Sequence, residues 1–264
     1  MRNVLTKTLY DKRGLLIGWC LGLTFFGWLM TIFYPSLHDS GSGLVELAAK
    51  LPPAFAGLIG NLADMTMLNT YLGSQLFDIR MPLLIGILSI LLGVSLSVGD
   101  EEKGGIRTVS ALPISRRSIL LQKWAAVVVI VVLAQAFTLV GILIGLVTIH
   151  ESLDAATLLR LGGVTALLAV ALATLILCIG LASGKRSITM GVGVVVAVGS
   201  FILTTFARSI DWLKDYEKLS LFHYFPAVEV AKGTVDLKNI LVYGVIIIVA
   251  LSASLILFTR RDIK

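Results

Sequence analysis

The sequence predicts an all-α polytopic membrane protein with six transmembrane helices. Three observations support this fold class: the mean hydropathy is +0.94, apolar residues make up 57% of the 264 residues, and charged residues make up 14%. A soluble domain carries roughly 25% charged residues, and a helix that crosses a bilayer needs about 20 mostly apolar residues. The composition therefore excludes a soluble enzyme, a disordered chain and a disulfide-stapled secreted module.

Six apolar runs are long enough to cross a bilayer, and we interpret residues 1–264 as a single transmembrane domain built on them. The predicted spans are about 15–33, 82–98, 125–148, 162–182, 188–207 and 240–258. These runs contain no Asp, Glu, Lys, Arg or His. Proton relays, sodium sites and voltage sensors normally need ionisable groups inside the membrane, so these mechanisms lose support.

Basic residues are unevenly distributed between the segments that connect the predicted spans. With the N-terminus in the cytoplasm, the inner segments hold 14 Lys/Arg and 5 Asp/Glu, and the outer segments hold 8 Lys/Arg and 11 Asp/Glu. The inner segments are 1–14, 99–124, 183–187 and 259–264. Because Lys and Arg concentrate on the cytoplasmic side, both termini should be cytoplasmic. We interpret the net charge of +6 as topology and contact with anionic lipid, without a nucleic-acid partner.

The segments outside the spans predict several short helices. Residues 1–14 place Val4, Leu5 and Leu9 on one helical face, which is typical of an amphipathic helix in the headgroup layer. The alternative is a frayed charged tail that only fixes the topology. Parts of the outer segment 34–81 are half-apolar, and we expect one or two short helices there that lie on or dip into the outer membrane surface. The outer segment 208–239 begins with charged residues and then becomes aromatic, and we expect a re-entrant or interfacial helix before the last span.

Two polar residues inside the third predicted span define a candidate translocation seam. Gln135 lies in the middle of the third predicted span, and Thr138 follows it by one helical turn. An amide that faces lipid is costly, so Gln135 should face a partner helix or a cavity. The alternative is that these residues, like the many Gly, Ser and Thr of the spans, serve helix packing.

The stretch 100–124, between the second and third predicted spans, predicts a short helix that projects into the cytoplasm. Asp100 can cap this helix, and Glu101 and Glu102 in its first turn suit the helix dipole. Pro113 ends the helix, and Ser115 is placed to cap the next one. An apolar stripe on such a helix offers a docking surface for another protein. The alternative is an ordinary basic hairpin between two spans.

The same stretch resembles the signature of the ABC-2 class of ATP-binding-cassette permeases. That signature has an acidic pair, a Gly-Thr, a short apolar helix, a Pro, a Ser-Arg and a helix ending in Lys. The matching positions are Glu101, Glu102, Gly104, Leu112, Pro113, Ser115, Arg116 and Lys123. Gly105 departs from the pattern, because the family usually has Thr there. Similar matches at residues 34–37, 51–52, 60, 222–226 and 260–262 extend the resemblance over essentially the whole chain.

The resemblance implies a transmembrane subunit of an exporter in the cell membrane of a prokaryote. Such subunits pair with a second permease chain, as homodimers or heterodimers, and bind two cytosolic ATPase subunits through the 100–113 coupling helix. The expected docking residues are Glu101, Glu102, Gly104, Arg107, Leu112, Pro113, Ser115 and Arg116. ATP and Mg would bind the partner subunits, and we expect no cofactor and no metal in this chain. The sequence agrees, because Gly184-Lys185-Arg186-Ser187 lacks the upstream Gly of a P-loop.

Two other classes of function compete with this interpretation. The stronger is a secondary transporter or channel that works without an ATPase. The weaker is an intramembrane protease, since Glu101-Glu102 precedes Arg107 by one residue too many for the prenyl-protease motif. His150 and Asp154 fall on the opposite side of the membrane from Glu101. We therefore predict no catalytic residues.

Overall fold

The computed structural model describes residues 3–39, 67–99, 115–207 and 210–260. Every regular element in these ranges is a helix. Six of the described helices are long and apolar enough to cross a membrane, and they cover Arg13–Leu37, Leu68–Gly99, Arg116–Ile149, Ala155–Ser183, Arg186–Ala207 and Leu237–Thr259. This confirms the predicted all-α polytopic fold, and each of these helices contains one of the predicted spans.

The α-helices of the described ranges are numbered in chain order. They are α1 (Val4–Asp11), α2 (Arg13–Ile32), α3 (Tyr34–Asp39), α4 (Leu68–Tyr71), α5 (Met81–Val94), α6 (Arg116–Ile149), α7 (Ala155–Ser183), α8 (Arg186–Ala207), α9 (Asp211–Lys214), α10 (Ala227–Ala231) and α11 (Leu237–Arg260). π-Helical stretches at Leu72–Arg80 and Ser95–Gly99 extend α4 and α5 into one composite helix, Leu68–Gly99. Short 3-10 turns cover Glu217–Leu219 and Phe222–Tyr224.

Side-chain caps and left-handed residues set the ends of α6 and α7. The Ser115 Oγ accepts a hydrogen bond from the Ser118 N–H at 3.3 Å, which confirms the predicted cap of α6. Asp154 caps α7 in the same way, through the Ala156 N–H at 3.3 Å. Gly184, with φ +62°, ends α7 because glycine adopts this left-handed conformation without a steric cost.

The composite helix begins at Leu68, well before the predicted start of the second span at Pro82. Arg80 lies just before this predicted start. In the structure, the Arg80 guanidinium donates hydrogen bonds to the backbone oxygen of Gln75 and, at 2.9 Å, to its Oε1. The helix itself therefore provides acceptors for this charge, and residues 68–81 join the span instead of forming separate outer helices.

The composite helix and α7 form the centre of the bundle. In the most apolar stretch of each, 72% of the residues are buried, compared with 22% in α2, 28% in α8 and 17% in α11. The Ser89 Oγ donates a hydrogen bond to the Ala169 backbone oxygen at 3.0 Å, which joins the two central helices. The outward faces of α2, α8 and α11 are apolar, as the hydrocarbon of a bilayer requires.

Helix α2 packs along α6 through small residues. A side-chain carbon placed at Gly27 would lie 2.7 Å from the Thr138 backbone oxygen, and one at Gly145 would lie 2.5 Å from Thr31. The Thr24 Oγ1 donates a hydrogen bond to the Phe137 backbone oxygen at 3.0 Å. Close approach and interhelical hydrogen bonds of this kind are typical of packed transmembrane helices.

The segment 210–236 contains the predicted short helices in the form of α9, α10 and two 3-10 turns. It is fixed to the bundle from two sides. The Tyr243 hydroxyl of α11 donates to the Leu221 backbone oxygen at 2.8 Å, and the Asn69 Nδ2 of α4 donates to the Ala231 backbone oxygen at 3.3 Å. Of the other outer segment, residues 40–66 lie outside the described residues.

Candidate coupling site at the basic face

One end of the bundle brings together the N-terminal ends of α2, α6 and α8 and the C-terminal end of the composite helix. This arrangement follows from the alternating direction of successive spans. Its basic side chains are Lys7, Lys12, Arg13, Arg116, Arg117, Lys123, Lys185 and Arg186. We call this end of the bundle the basic face.

Most of the predicted docking residues lie outside the described residues. Glu101, Glu102, Gly104, Arg107, Leu112 and Pro113 all fall in the range 100–114. Ser115 and Arg116 are described, and both are exposed at the start of α6. The structure therefore gives the two ends of the predicted coupling segment, Gly99 and Ser115, rather than its interior.

The end of the composite helix that leads into this segment is held by two lysines. The Lys123 side chain, which is only 5% exposed, extends from α6 and donates a hydrogen bond from Nζ to the Leu96 backbone oxygen at 3.3 Å. The Lys12 Nζ donates to the Ser95 Oγ. The carbonyl dipoles of a helix give its C-terminal part a partial negative charge, so an ammonium group is favourable at this position.

A chain of hydrogen bonds leads from the other end of the segment to α1. Beyond the Ser115 cap, the Ser118 Oγ accepts a hydrogen bond from the Gln122 Nε2 at 3.0 Å. The Gln122 Oε1 accepts hydrogen bonds from the backbone N–H groups of Val4 at 2.9 Å and Leu5 at 3.4 Å. Gln122 thus caps α1 from a different helix, since the Asn3 side chain makes no capping bond there.

Sequence reasoning missed the roles of Lys12, Gln122 and Lys123. Lys123 matched the family pattern, but its contact with Leu96 joins residues 27 apart in the chain. Gln122 contacts Val4 across 118 positions. A polar residue on the buried side of an otherwise apolar helix was the one signal that the sequence offered for these contacts.

The two residues of the candidate translocation seam are both buried inside the bundle. Thr138 is fully buried, and its Oγ1 donates to the Ala134 backbone oxygen at 3.1 Å within α6. Gln135 is 3% exposed, and neither its Nε2 nor its Oε1 has a hydrogen-bond partner within the described part of the chain. Gln135 therefore lies away from the lipid, as expected for a mid-span amide, and its polar atoms lack partners there.

Metal-binding chemistry has no support in the part of the chain that the structure describes. No group of three or more His, Cys, Asp or Glu residues in these ranges could hold a metal ion. Cys20 and Cys178 are both free thiols.

Comparison with known proteins agrees with the fold. No curated protein matches the sequence. The family model of the ABC-2 family transporter proteins matches residues 2–263, which is nearly the whole chain. Members of this family are membrane transport components, which normally work with ATP-binding subunits. With six spanning helices and a match of this extent, the chain is a multi-pass membrane protein that belongs to the ABC-2 family of transporter proteins.

Proposed function

We propose that this chain is the transmembrane permease subunit of an ABC exporter. It moves its substrate across the cell membrane by alternating access, driven by a separate cytosolic ATPase subunit. The observation that carries the proposal is the family match over residues 2–263. The contacts at the basic face support it, because they hold both described ends of the segment where a motor would bind.

Two ATPase subunits dock on the 100–113 coupling helices of a permease dimer in this proposal. Glu101, Glu102 and Arg107 supply charged contacts, and Leu112 supplies an apolar one. ATP and Mg bind the ATPase subunits, and the permease chain contributes no cofactor. The second permease chain is either a copy of this one or a related chain.

In this proposal, two hydrogen-bonded contacts transmit movement of the coupling helix into the bundle. Lys123 links the end of the composite helix to α6, and Gln122 links α6 to α1. The described part of the composite helix ends in a π-helical stretch before the coupling segment, and such stretches are frequent at functional sites. Nucleotide binding that favours one ATPase arrangement would thus shift the permease between its inward-open and outward-open states.

The basic face lies in the cytoplasm in this proposal, together with both termini. The 14 Lys/Arg of the inner segments, compared with 8 in the outer ones, support this orientation in a prokaryotic cell membrane. Cytosolic ATPase subunits can reach the coupling helix only in this orientation.

Affinity purification of the tagged chain from its native membrane tests the proposal. We expect a P-loop ATPase to copurify, and we expect the double substitution Glu102→Lys with Leu112→Asp to abolish its capture. The matched control is Glu151→Lys with Leu219→Asp, because both residues are exposed and lie far from the basic face. The control should retain the ATPase, and both variants should keep the unfolding temperature of the wild type.

Transport by the purified chain alone, reconstituted in vesicles without any ATPase, would contradict the proposal. That result would favour the secondary transporter or channel instead. Retained ATPase capture by the Glu102→Lys, Leu112→Asp variant would reject the docking site while leaving the transporter class in place.

A further inference from the structure

A small, largely enclosed cavity lies at the end of the bundle opposite the basic face. It is formed where the π-helical stretch Leu72–Arg80, the C-terminal end of α8 and the second 3-10 turn meet. Its volume, about 10 Å³ for the centre of a water molecule, is at the lower end of the about 10–15 Å³ that one water needs. The size of the cavity therefore limits its guest to one small molecule or ion.

Three of the side chains that line the cavity are polar. Asp78 belongs to the π-helical stretch, and Thr204 and Thr205 belong to α8. The rings of Phe222 and Phe225 also form part of the wall, and they are only 4% and 2% exposed. The cavity therefore combines hydrogen-bonding groups with aromatic walls that limit the access of bulk water.

The hydrogen bonds of Ser220 fix the direction of the Thr204 hydroxyl. The Ser220 Oγ donates its one hydrogen to the Ser200 backbone oxygen at 2.8 Å and accepts from the Phe222 N–H at 3.1 Å. The Thr204 Oγ1 lies 2.5 Å from the Ser220 Oγ, so Thr204 must be the donor of this hydrogen bond. Because a hydroxyl has only one hydrogen, the Thr204 Oγ1 can only accept from a guest in the cavity.

The other two polar side chains complete the requirement for a guest. An ionised carboxylate only accepts, and its roughly four acceptor positions let Asp78 accept from a guest while it keeps a further partner. Thr205 is 7% exposed, and no hydrogen bond joins its hydroxyl to another residue of the described ranges. A hydroxyl in this position can donate to a guest. The guest must therefore donate to two oxygens and accept from one hydroxyl.

A water molecule meets this requirement better than an ion does. Water has two hydrogens to donate and lone pairs that accept, and a buried water typically makes about three hydrogen bonds. An Mg²⁺ or Ca²⁺ ion takes about six or more oxygen ligands, which is more than these side chains provide. An ammonium group has no lone pair to accept from Thr205.

From this accounting we propose that the cavity binds one ordered water molecule, which donates to Asp78 and Thr204 and accepts from Thr205. The water links the second span to the fifth at the end of the bundle opposite the basic face. Such a bridge is enthalpically nearly as good as a direct hydrogen bond. This proposal goes beyond the exporter function and does not depend on it, because it needs no ATPase and no transport.

Hydroxyl-radical footprinting by X-ray radiolysis tests the proposal on the full-length chain in detergent. A radical formed from a bound water adds the oxygen of that water to a neighbouring aromatic ring, even when the ring is buried. We expect modification of Phe222 or Phe225, whereas the fully buried Phe77, which does not line the cavity, should stay unmodified. After rapid mixing with heavy-oxygen water, the label at the cavity should exchange more slowly than the label at the exposed Tyr216.

One substitution with a matched control connects this label to the cavity. Thr205→Leu removes the hydroxyl and fills the space, so the modification of Phe222 and Phe225 should be lost. Thr165→Val removes a buried hydroxyl of α7 that bonds within its own helix, and it should retain the modification. Unfolding would expose both rings and raise their modification, so a loss of label in Thr205→Leu cannot result from unfolding.

Four results would overturn the proposal. The first is the absence of modification at both rings in the wild type, and the second is exchange as fast as at Tyr216, which means that bulk water reaches the cavity. The third is unchanged modification in Thr205→Leu. The fourth is an unfolding temperature that rises with one particular cation at constant ionic strength in the wild type but not in Asp78→Asn, which would show that an ion occupies the site.

Discussion

The ammonium group of Lys123 on α6 donates a hydrogen bond of 3.3 Å to the backbone oxygen of Leu96, three residues before the end of the composite helix. Lys123 is 5% exposed, so this contact lies inside the bundle. A buried ammonium group is tolerated only when it has hydrogen-bond partners, and the Leu96 carbonyl is one of them. The pair therefore joins the second and third spans just before the predicted coupling segment.

Replacing Lys123 by Met should loosen the end of the composite helix. The substitution keeps the length of the side chain but leaves the Leu96 carbonyl without this donor, which costs about 1–3 kcal/mol. We expect faster hydrogen exchange at the amides of residues 95–99, measured by mass spectrometry. Lys185→Met, at an exposed lysine, should leave these amides unchanged. Equal exchange in both variants would mean that the Leu96 contact does not hold this helix end.

The attachment of α1 to the bundle should depend on the acceptor oxygen of Gln122. Gln122→Met removes the oxygen that accepts from the Val4 and Leu5 N–H groups, so α1 should lose protection and become sensitive to cleavage at Lys7. Gln122→Glu keeps an acceptor in the same place and should preserve α1. Limited trypsin digestion in detergent compares the two variants. Protection of Lys7 in Gln122→Met would show that apolar packing alone holds α1.

Replacing Gln135 by Leu should stabilise the chain. The two polar atoms of this amide are buried without hydrogen-bond partners in the described part of the chain, a situation that costs about 1–3 kcal/mol. We expect a higher unfolding temperature in detergent for Gln135→Leu. Thr138→Val should change stability by less, because the Thr138 hydroxyl is paired within its own helix.

Transport measurements on the same variants then test the role of the candidate seam. If the amide of Gln135 is needed for translocation, Gln135→Leu should lower transport while it raises stability. A gain in stability with unchanged transport would assign Gln135 to packing alone. A loss of stability would contradict the burial argument itself.

Two glycines of α2 should respond in opposite directions to substitution by alanine. At Gly27 the added carbon would lie 2.7 Å from the Thr138 backbone oxygen, so α2 and α6 must separate, and overpacking of this kind costs about 1–3 kcal/mol. At Gly22 the added carbon meets nothing within 4 Å. Gly22→Ala should therefore be neutral or stabilising by about 0.4–1 kcal/mol. Thermal unfolding of both variants in the same detergent measures the difference, and equal destabilisation would contradict the packing of α2 on α6.

Local features of the structure could be read directly from the sequence. Ser115 caps α6 and Gly184 ends α7, because capping and left-handed turns depend on residues within a few positions of the helix end. The start of the second span was harder to place. Arg80 lies just before the predicted start, and only the bonds to Gln75 in the folded helix show how its charge is accommodated.

The candidate site shows the same difference between features set by neighbouring residues and contacts between distant ones. The family resemblance predicted the coupling segment, and Ser115 and Arg116 follow it in the sequence. The contacts that hold its ends, from Lys12, Gln122 and Lys123, join residues that are distant in the chain. Such pairs depend on how the helices are arranged in space, and one sequence does not contain that information.

The sequence by itself determined that this chain is a six-span helical membrane protein. The hydrocarbon of a bilayer offers no hydrogen-bond partners to the backbone, and a long apolar segment satisfies its own backbone groups by forming a helix. Only the tertiary structure decided which glycines pack against a neighbouring helix and which have no atom near them. Gly22 and Gly27 lie on the same helix with the same side chain, yet one borders a groove and the other contacts α6. The difference is the presence of a neighbouring helix, and only packing in three dimensions supplies it.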